Sequence, residues 1–310
     1  MKAIVVDTTG NNAGTSILIQ AIKVFNSKHK DVTIYAVGNT EKMSTMDSLK
    51  EVNCVPTYNQ DKKQTEDPDT IAKRLFEVMD NTKAPVLLTS LDKKRVLDEA
   101  NVHFKKTGLP IFVSYFFTST LKKFSFLADC GVNKTLSGED FQNVYTETKL
   151  LAQSVFDYKD TSFSLLGTST DIEDLPSNYR DAYDLFESNP DFKGITPAAD
   201  FIKGSNSIYL ADGFTNEIII KTVYSFYETY VKNWNTYQAK RINAKLAVKL
   251  ASGVFREIDQ LSSSKIDSTG LWLLGYDKML VKLNQDSTVG SIYTSLNNIN
   301  NYLKALPENQ

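Results

Sequence analysis

Short apolar runs alternate along the first half of the chain with stretches whose apolar residues recur at helical spacing. Ala3-Ile4-Val5-Val6 ends in Asp7, and Thr8-Thr9-Gly10-Asn11-Asn12-Ala13-Gly14 follows as a turn-rich loop. From Ser16 to Phe25 the apolar residues Ile17, Ile19, Ile22 and Phe25 trace a helix, and Val32–Val37 and Val52–Val55 read as the next two strands. Asp67-Pro68 starts a helix that runs to about Asp80, since proline suits the first turn and acids suit the positive end of the dipole. The alternation continues with strands at 86–88, 111–116, 126–129, 162–166 and 207–211. Helices are expected at 96–106, 138–156 and 179–187, the first of them closed by Gly108-Leu109-Pro110. Strands alternating with helices imply βαβ units, hence an α/β fold with a largely parallel sheet and helices on both faces. The chain is expected to form one α/β domain spanning residues 1–310.

The stretch from Ile218 to Leu261 departs from this rhythm. It has no proline and no strand pattern, so it reads as one long helix or a helical hairpin, placed at 223–261. Val223, Phe226, Tyr227, Tyr230, Trp234 and Tyr237 form an aromatic stripe, and Lys232, Lys240, Arg241, Lys245 and Lys249 are the charges between Val231 and Phe255. Such a segment suits an anionic membrane surface, and equally a dimer-forming or core-packing helix with a solvated basic face.

Composition narrows the classes. With 41% hydrophobic and 23% charged residues, the 310-residue chain is an ordinary globular sequence, and a net charge of −2 gives no overall footprint for nucleic acid. Cys54 and Cys130 lie far apart, which fits reduced cytosolic thiols. His29 and His103 each stand beside lysines, so a zinc site or a Ser-His-Asp triad has little raw material and no metal is expected. No leader peptide pattern opens the sequence and no apolar run approaches the ~20 residues of a membrane span, so a soluble cytoplasmic chain is expected. The P-loop and the G-x-G-x-x-G fingerprint are both missing, against a nucleotide triphosphatase or a dinucleotide dehydrogenase. Asp7, Gly38, Asp129, Gly167 and Asp212 close strands, where parallel sheets bind ligands.

Asp191–Thr222 resembles the signature region of the bacterial phosphate acyltransferase family, PlsX. That family carries F-x-G, a strand, D-G-F-T-G-N and an apolar run ending in Lys-Thr. Asp212-Gly213-Phe214-Thr215 and Lys221-Thr222 match. In the family's order, Asp7–Ala13 resembles D-x-M-G-G-D-N-A, one residue shorter. Asp129–Asn133 resembles D-x-G-A-N, and Gly270 with Leu273-Leu274-Gly275 resembles G-G-x-x-L-L-G. The resemblance implies a three-layer αβα fold related to isopropylmalate dehydrogenases and phosphotransacetylases, with a protruding helical hairpin. It implies transfer of an acyl chain from acyl carrier protein to inorganic phosphate, giving acyl phosphate for phospholipid synthesis without a cofactor. It also implies a homodimer held peripherally at an anionic membrane surface through 223–261.

Carried over by residue, the resemblance puts Asp212, Thr215 and Glu217 at the reacting centre. Asp7, Gly10 and Asn12 shape the N-terminal loop, Thr89, Ser90 and Lys93 or Lys94 are candidate phosphate donors, and Asn133 and Gly213 complete the binding set. Several positions depart from the family pattern. T-G-N becomes Thr215-Asn216-Glu217, and S-A-G-N-T-G becomes Thr89-Ser90-Leu91-Asp92-Lys93-Lys94. E-E-E-I-K-G-N becomes Thr170–Pro176, and H-G-S-S becomes Asn284-Gln285-Asp286-Ser287. Losing an oxyanion donor costs on the order of 10²–10³ in rate, so the substitutions set a divergent enzyme against a non-catalytic paralogue that binds or regulates in lipid synthesis. A phosphotransacetylase-like enzyme for small acyl groups is a third reading, disfavoured by the aromatic-basic hairpin.

Overall fold

The computed structural model describes residues 2–44, 51–57, 67–118, 123–240 and 270–307. The chain divides into two compact units. The first is Met1–Phe112, Lys149–Lys159 and Ser268–Gln310; the second is Val113–Thr148 and Asp160–Asp267.

In the first unit, β1 (Ala3–Asp7) is buried along its whole length, as its unbroken apolar run requires of a central parallel strand. It pairs in parallel with β2 (Thr33–Gly38) on one side and β4 (Val86–Thr89) on the other. The order is β3 (Val52–Pro56), β2, β1, β4, β11 (Met279–Lys282), β10 (Leu271–Tyr276), then β5 (Lys106–Thr118). Only β10–β11 is antiparallel among the registered pairs here. The chain leaves β1 toward β2 through α1 (Thr15–Lys28) and returns past β1 to β4 through α3 (Pro68–Thr82). Right-handed crossovers in opposite directions put these two helices on opposite faces. Accordingly α1 packs on α8 (Val289–Ala305), while α3 packs on β1 and on α4 (Lys93–His103). The short α2 (Thr40–Met43) packs against α1 and β3.

In the second unit the order is β5, β6 (Lys123–Ala128), β9 (Ile208–Leu210), β7 (Phe163–Gly167) and β8 (Phe192–Pro197). All registered pairs are parallel except β5–β6. Its helices are the first turns of α5 (Gly138–Phe156), α6 (Ser177–Phe186) and α7 (Gly213–Lys240).

The α/β class and the largely parallel sheet match the sequence pattern. Boundaries moved where local chemistry outweighed periodicity. Helix α4 starts at Lys93, not Val96, because the Asp92 side chain accepts from Arg95 N at 3.0 Å and caps the turn. Gly108-Leu109-Pro110 stops no helix; it lies inside β5. Next to it on β10, Gly275 (φ 87°) leaves the room a Cβ would fill, 2.4 Å from the Leu109 oxygen. Strands β8, β10 and β11 and helix α8 carry no assignment in the sequence reading. The segment expected as a hairpin at 223–261 begins as α7, and residues 241–261 lie outside the described residues.

Phe76 of α3 is fully buried, with its ring 5.1 Å from that of Phe104. Phe76→Ala should cost about 3–5 kcal/mol in urea unfolding. An unchanged midpoint would contradict this core.

Candidate functional site

The β1–β4 border is where the chain reverses its direction across the sheet, and open parallel sheets bind ligands at the strand carboxyl ends beside such a point. Asp7 closes β1 there with no exposed surface. Its Oδ1 accepts from Thr9 N (2.8 Å) and Thr9 Oγ1 (2.7 Å), and its Oδ2 accepts from Thr89 Oγ1 (2.8 Å) and Ser90 N (3.3 Å). Thr89 Oγ1 in turn accepts from Leu91 N at 3.1 Å. One carboxylate therefore clamps the loop after β1 to the loop after β4. Gly10 lies against that clamp: a Cβ there would stand 2.8 Å from Ser90 Cβ.

The loop before α8 closes the third side. Asn11 Nδ2 donates to the Ser287 oxygen (2.9 Å), Asn12 N to the Gln285 oxygen (2.8 Å), and Asn12 Nδ2 to Asp286 (2.8 Å). Lys93 and Lys94 form the first turn of α4 next to Asp92, Lys93 half-buried and Lys94 exposed. Arg95 is engaged with Asp69 and Asp92.

The second cluster belongs to the second unit. Asp129 follows β6 and accepts from Asn133 N (2.6 Å), Asn133 Nδ2 (3.0 Å) and Val132 N (3.2 Å). The Asn133 oxygen accepts from Gly213 N at 2.7 Å, so this loop covers the start of α7. Gly213 is required there, because a Cβ would sit 2.6 Å from that same oxygen. Asp212 Oδ1 accepts from Thr215 N (2.8 Å), which caps α7, and Oδ2 accepts from Tyr179 Oη (3.0 Å). Asp212 N donates back to Tyr179 Oη at 2.9 Å. Glu217 is half-buried and ion-paired with Lys221 at 3.0 Å.

Among the residues expected at a site, the structure brings Asp7, Gly10, Thr89 and Ser90 into one contact group, with Asn12 turned to Asp286. It brings Asn133, Asp212, Gly213 and Thr215 into another. Three residues outside the expected site set belong to these groups. Tyr179 has no sequence signal beyond its place in an amphipathic helix. Asn216 is fully buried and its Nδ2 donates to the oxygens of Asp129 (2.7 Å) and Ala211 (3.2 Å). The family's asparagine is thus replaced by one a residue earlier, facing inward. Ser287 matches the last serine of H-G-S-S, and that was a usable signal.

Along α7 the exposed apolar side chains Phe214 (61%), Ile218 (50%), Phe226 (75%) and Tyr230 (55%) stand at multiples of four residues. Phe214 with Ile218, and Phe226 with Tyr230, are neighbours on successive turns. No described helix is long and apolar enough to cross a membrane.

Burial, reinforced by the Asp212 carboxylate, holds the Tyr179 hydroxyl neutral well above the ordinary tyrosine range. The unfolded chain releases that proton near the ordinary value of about 10, so the contribution is complete below it and is lost as pH rises toward the folded-state value. Stability should fall above about pH 10, less steeply in Tyr179→Phe, which itself costs about 1–3 kcal/mol at neutral pH. Urea midpoints across that range check this, and equal slopes for both proteins would contradict it.

No family model matches the chain. Curated proteins do. A phosphate acyltransferase of Staphylococcus epidermidis is 22% identical, covering 96% of this chain and 94% of the relative. One from Mycoplasmoides gallisepticum is also 22% identical, covering 96% and 93%. Among solved structures, a branched-chain phosphotransacylase from Enterococcus faecalis V583 aligns with a TM-score of 0.59 at 13% identity, over 98% of this chain and 99% of its own. A phosphotransacetylase from Streptococcus pyogenes aligns at 0.57 and 13%, over 98% and 94%. These structures support the three-layer αβα fold alone. The sequence similarity to these phosphate acyltransferases runs over nearly the whole length of the chain, at 22% identity.

Proposed function

We propose that this chain transfers an acyl group from the thioester of acyl carrier protein to inorganic phosphate, yielding acyl phosphate for phospholipid synthesis. The observation that carries the reading is the crevice at the carboxyl ends of β1 and β4, where Asp7 fixes Thr89 and Ser90 beside the first turn of α4. A phosphate oxygen attacks the thioester carbonyl, the tetrahedral intermediate collapses, and the carrier leaves as a thiol after taking a proton. The protein has to position phosphate and stabilise charge developing on oxygen.

In this reading Ser90 and Lys93 or Lys94 hold the phosphate; Thr89, whose one hydroxyl proton goes to Asp7, is a brace and not the phosphate donor expected of it, and Asp7, Gly10 and Asn12 set the loop's shape. Asp212 positions Thr215 by capping α7, with Asn133 and Gly213 fixing the helix start. Glu217 does not stand as a bare carboxylate, since Lys221 neutralises it. The nucleophile is phosphate itself, so the step calls for no metal and no bound cofactor. The exposed Phe226 and Tyr230 on α7 support seating on an anionic membrane surface from the cytoplasmic side, and the family pattern supports a homodimer.

Purified protein incubated with long-chain acyl carrier protein and phosphate should release free carrier and acyl phosphate in a phosphate-dependent manner. A folded protein that binds acyl chains or anionic vesicles without any turnover above the protein-free control would overturn the enzyme reading.

A further inference from the structure

Charge is unevenly spread over the first unit. Helices α1 and α8 pack on each other and contain no aspartate or glutamate; their charged side chains are Lys23, Lys28 and Lys304. The acid-free stretches run from Thr8 to Lys30 and from Ser287 to Leu306. Over the whole chain acids outnumber bases, 37 to 35, and α3 on the opposite face carries Asp69, Glu77 and Asp80 beside Lys73 and Arg74. The absence of acids is therefore a property of this face and not of the chain.

The exposed lysines of the face have neutral partners. Lys28 Nζ donates to Tyr293 Oη at 3.0 Å and lies 5.0 Å from the centre of that ring, which ties the last turn of α1 to α8. Lys30 Nζ donates to Asn26 Oδ1 at 3.3 Å. Neither cation faces a carboxylate within ion-pair distance among the described residues, whereas Arg95, Arg180, Lys203, Lys221 and Lys278 each do. The acids that border the face are engaged elsewhere: Asp31 with Lys2 at 2.9 Å, Asp286 with Asn12 at 2.8 Å. Positive charge is thus held in place here without being neutralised.

The rest of the face suits a protein and not a bilayer. Its exposed side chains include Ser16, Gln20, Ser27 and Asn301, with Val24 (42% exposed) among them. The large apolar residues of the two helices, such as Leu18, Phe25 and Leu296, are buried, so nothing here is built to enter lipid. A few lysines without arginine are also a poor footprint for nucleic acid. Position completes the argument. Both helices start at the crevice, where Asn12 N donates to the Gln285 oxygen at 2.8 Å. At 1.5 Å per residue the 14-residue α1 carries Lys28 about 20 Å from that start. A thioester at the end of a carrier's long prosthetic arm has to cross such a distance between the docked protein and the crevice.

We propose that the acid-free face of α1 and α8, with Lys23, Lys28 and Lys30 toward its far end, docks an acidic protein surface, and that this protein is the acyl carrier. The carrier's identity rests on the acyltransferase reading; the acidic chemistry of the partner rests on the charges of the face. Docking there gives the second half of α1 a role that no strand-end motif supplies.

Calorimetric titration with acyl carrier protein, at low and at physiological ionic strength, tests this on wild type, Lys28→Glu/Lys30→Glu and Lys73→Glu, the last on the opposite face. Wild type should bind, more weakly as salt rises. The double reversal should bind about tenfold or more weakly and lose most of the salt dependence, and Lys73→Glu should bind as wild type. Lys28→Gln/Lys30→Gln should fall between, and it carries the test if the double reversal does not fold. With acyl-pantetheine, a thioester arm without its protein, the variants should turn over as wild type does. Wild-type affinity in the double variants, no carrier binding to wild type, or an equal loss in Lys73→Glu would overturn the proposal. So would impaired turnover of acyl-pantetheine in the variants, or loss of anionic-vesicle binding with carrier binding kept. Carrier binding weakened in the double variants, with no acyl transfer by wild type, would uphold the docking face and sink the acyltransferase. Transfer from the carrier with undiminished binding in the variants would do the reverse.

Discussion

The Asp7 carboxylate is the constraint on which the first unit's site depends. A carboxylate with no exposed surface is tolerable only if its oxygens are bonded, and here four donors meet it: Thr9 N, Thr9 Oγ1, Thr89 Oγ1 and Ser90 N. Each bond to a charged group is worth about 1.5–3 kcal/mol, so the set offsets much of the burial penalty. The consequence is geometric. Two strands adjacent in the sheet but distant in sequence have their loops locked in one arrangement, and Gly10, Ser90, Asn11 and Ser287 take their places around that lock.

The two clusters solve opposite problems. At α7 the helix start is closed by the protein itself: Asn133 takes Gly213 N, Asp212 takes Thr215 N, and Tyr179 holds Asp212. That cluster is a brace, and it positions Thr215 and Glu217 by rigidity rather than by offering open donors. At α1 the helix start has no side-chain cap, while the α8 start is closed by a Thr288–Ser291 capping box. The family's T-G-N asparagine became Glu217 in the braced cluster, where Lys221 balances it. The donors for an anion are better supplied in the crevice.

Much of this was legible in the sequence because strand and helix periods differ and β1's apolar run ends on a polar loop. Asp67-Pro68 announced α3, and the side chain of Asp67 does accept from Thr70 N. The sheet's order was not legible, since β10 and β11 pair with strands far away in sequence. Pro110 misled because its meaning depends on the neighbouring strand: it reads as a breaker until Gly275 is seen opposite. At the site, motif matching found Asp7, Thr89 and Ser90 but assigned them roles without the bonds among them. Ser287 was set aside with a lost motif, although the one serine that survived is buried and unpaired. Tyr179 could not have been found, because its partner Asp212 lies 33 residues away.

Amide hydrogen exchange with and without saturating orthophosphate tests the central claim most directly, since it reports where the anion binds without requiring turnover. The account predicts slower exchange in residues 8–14, 89–95 and 285–291 on addition of orthophosphate, with the α7 start at 213–217 protected equally in both conditions. Protection that appears at 213–217 and leaves those three loops unchanged would contradict it.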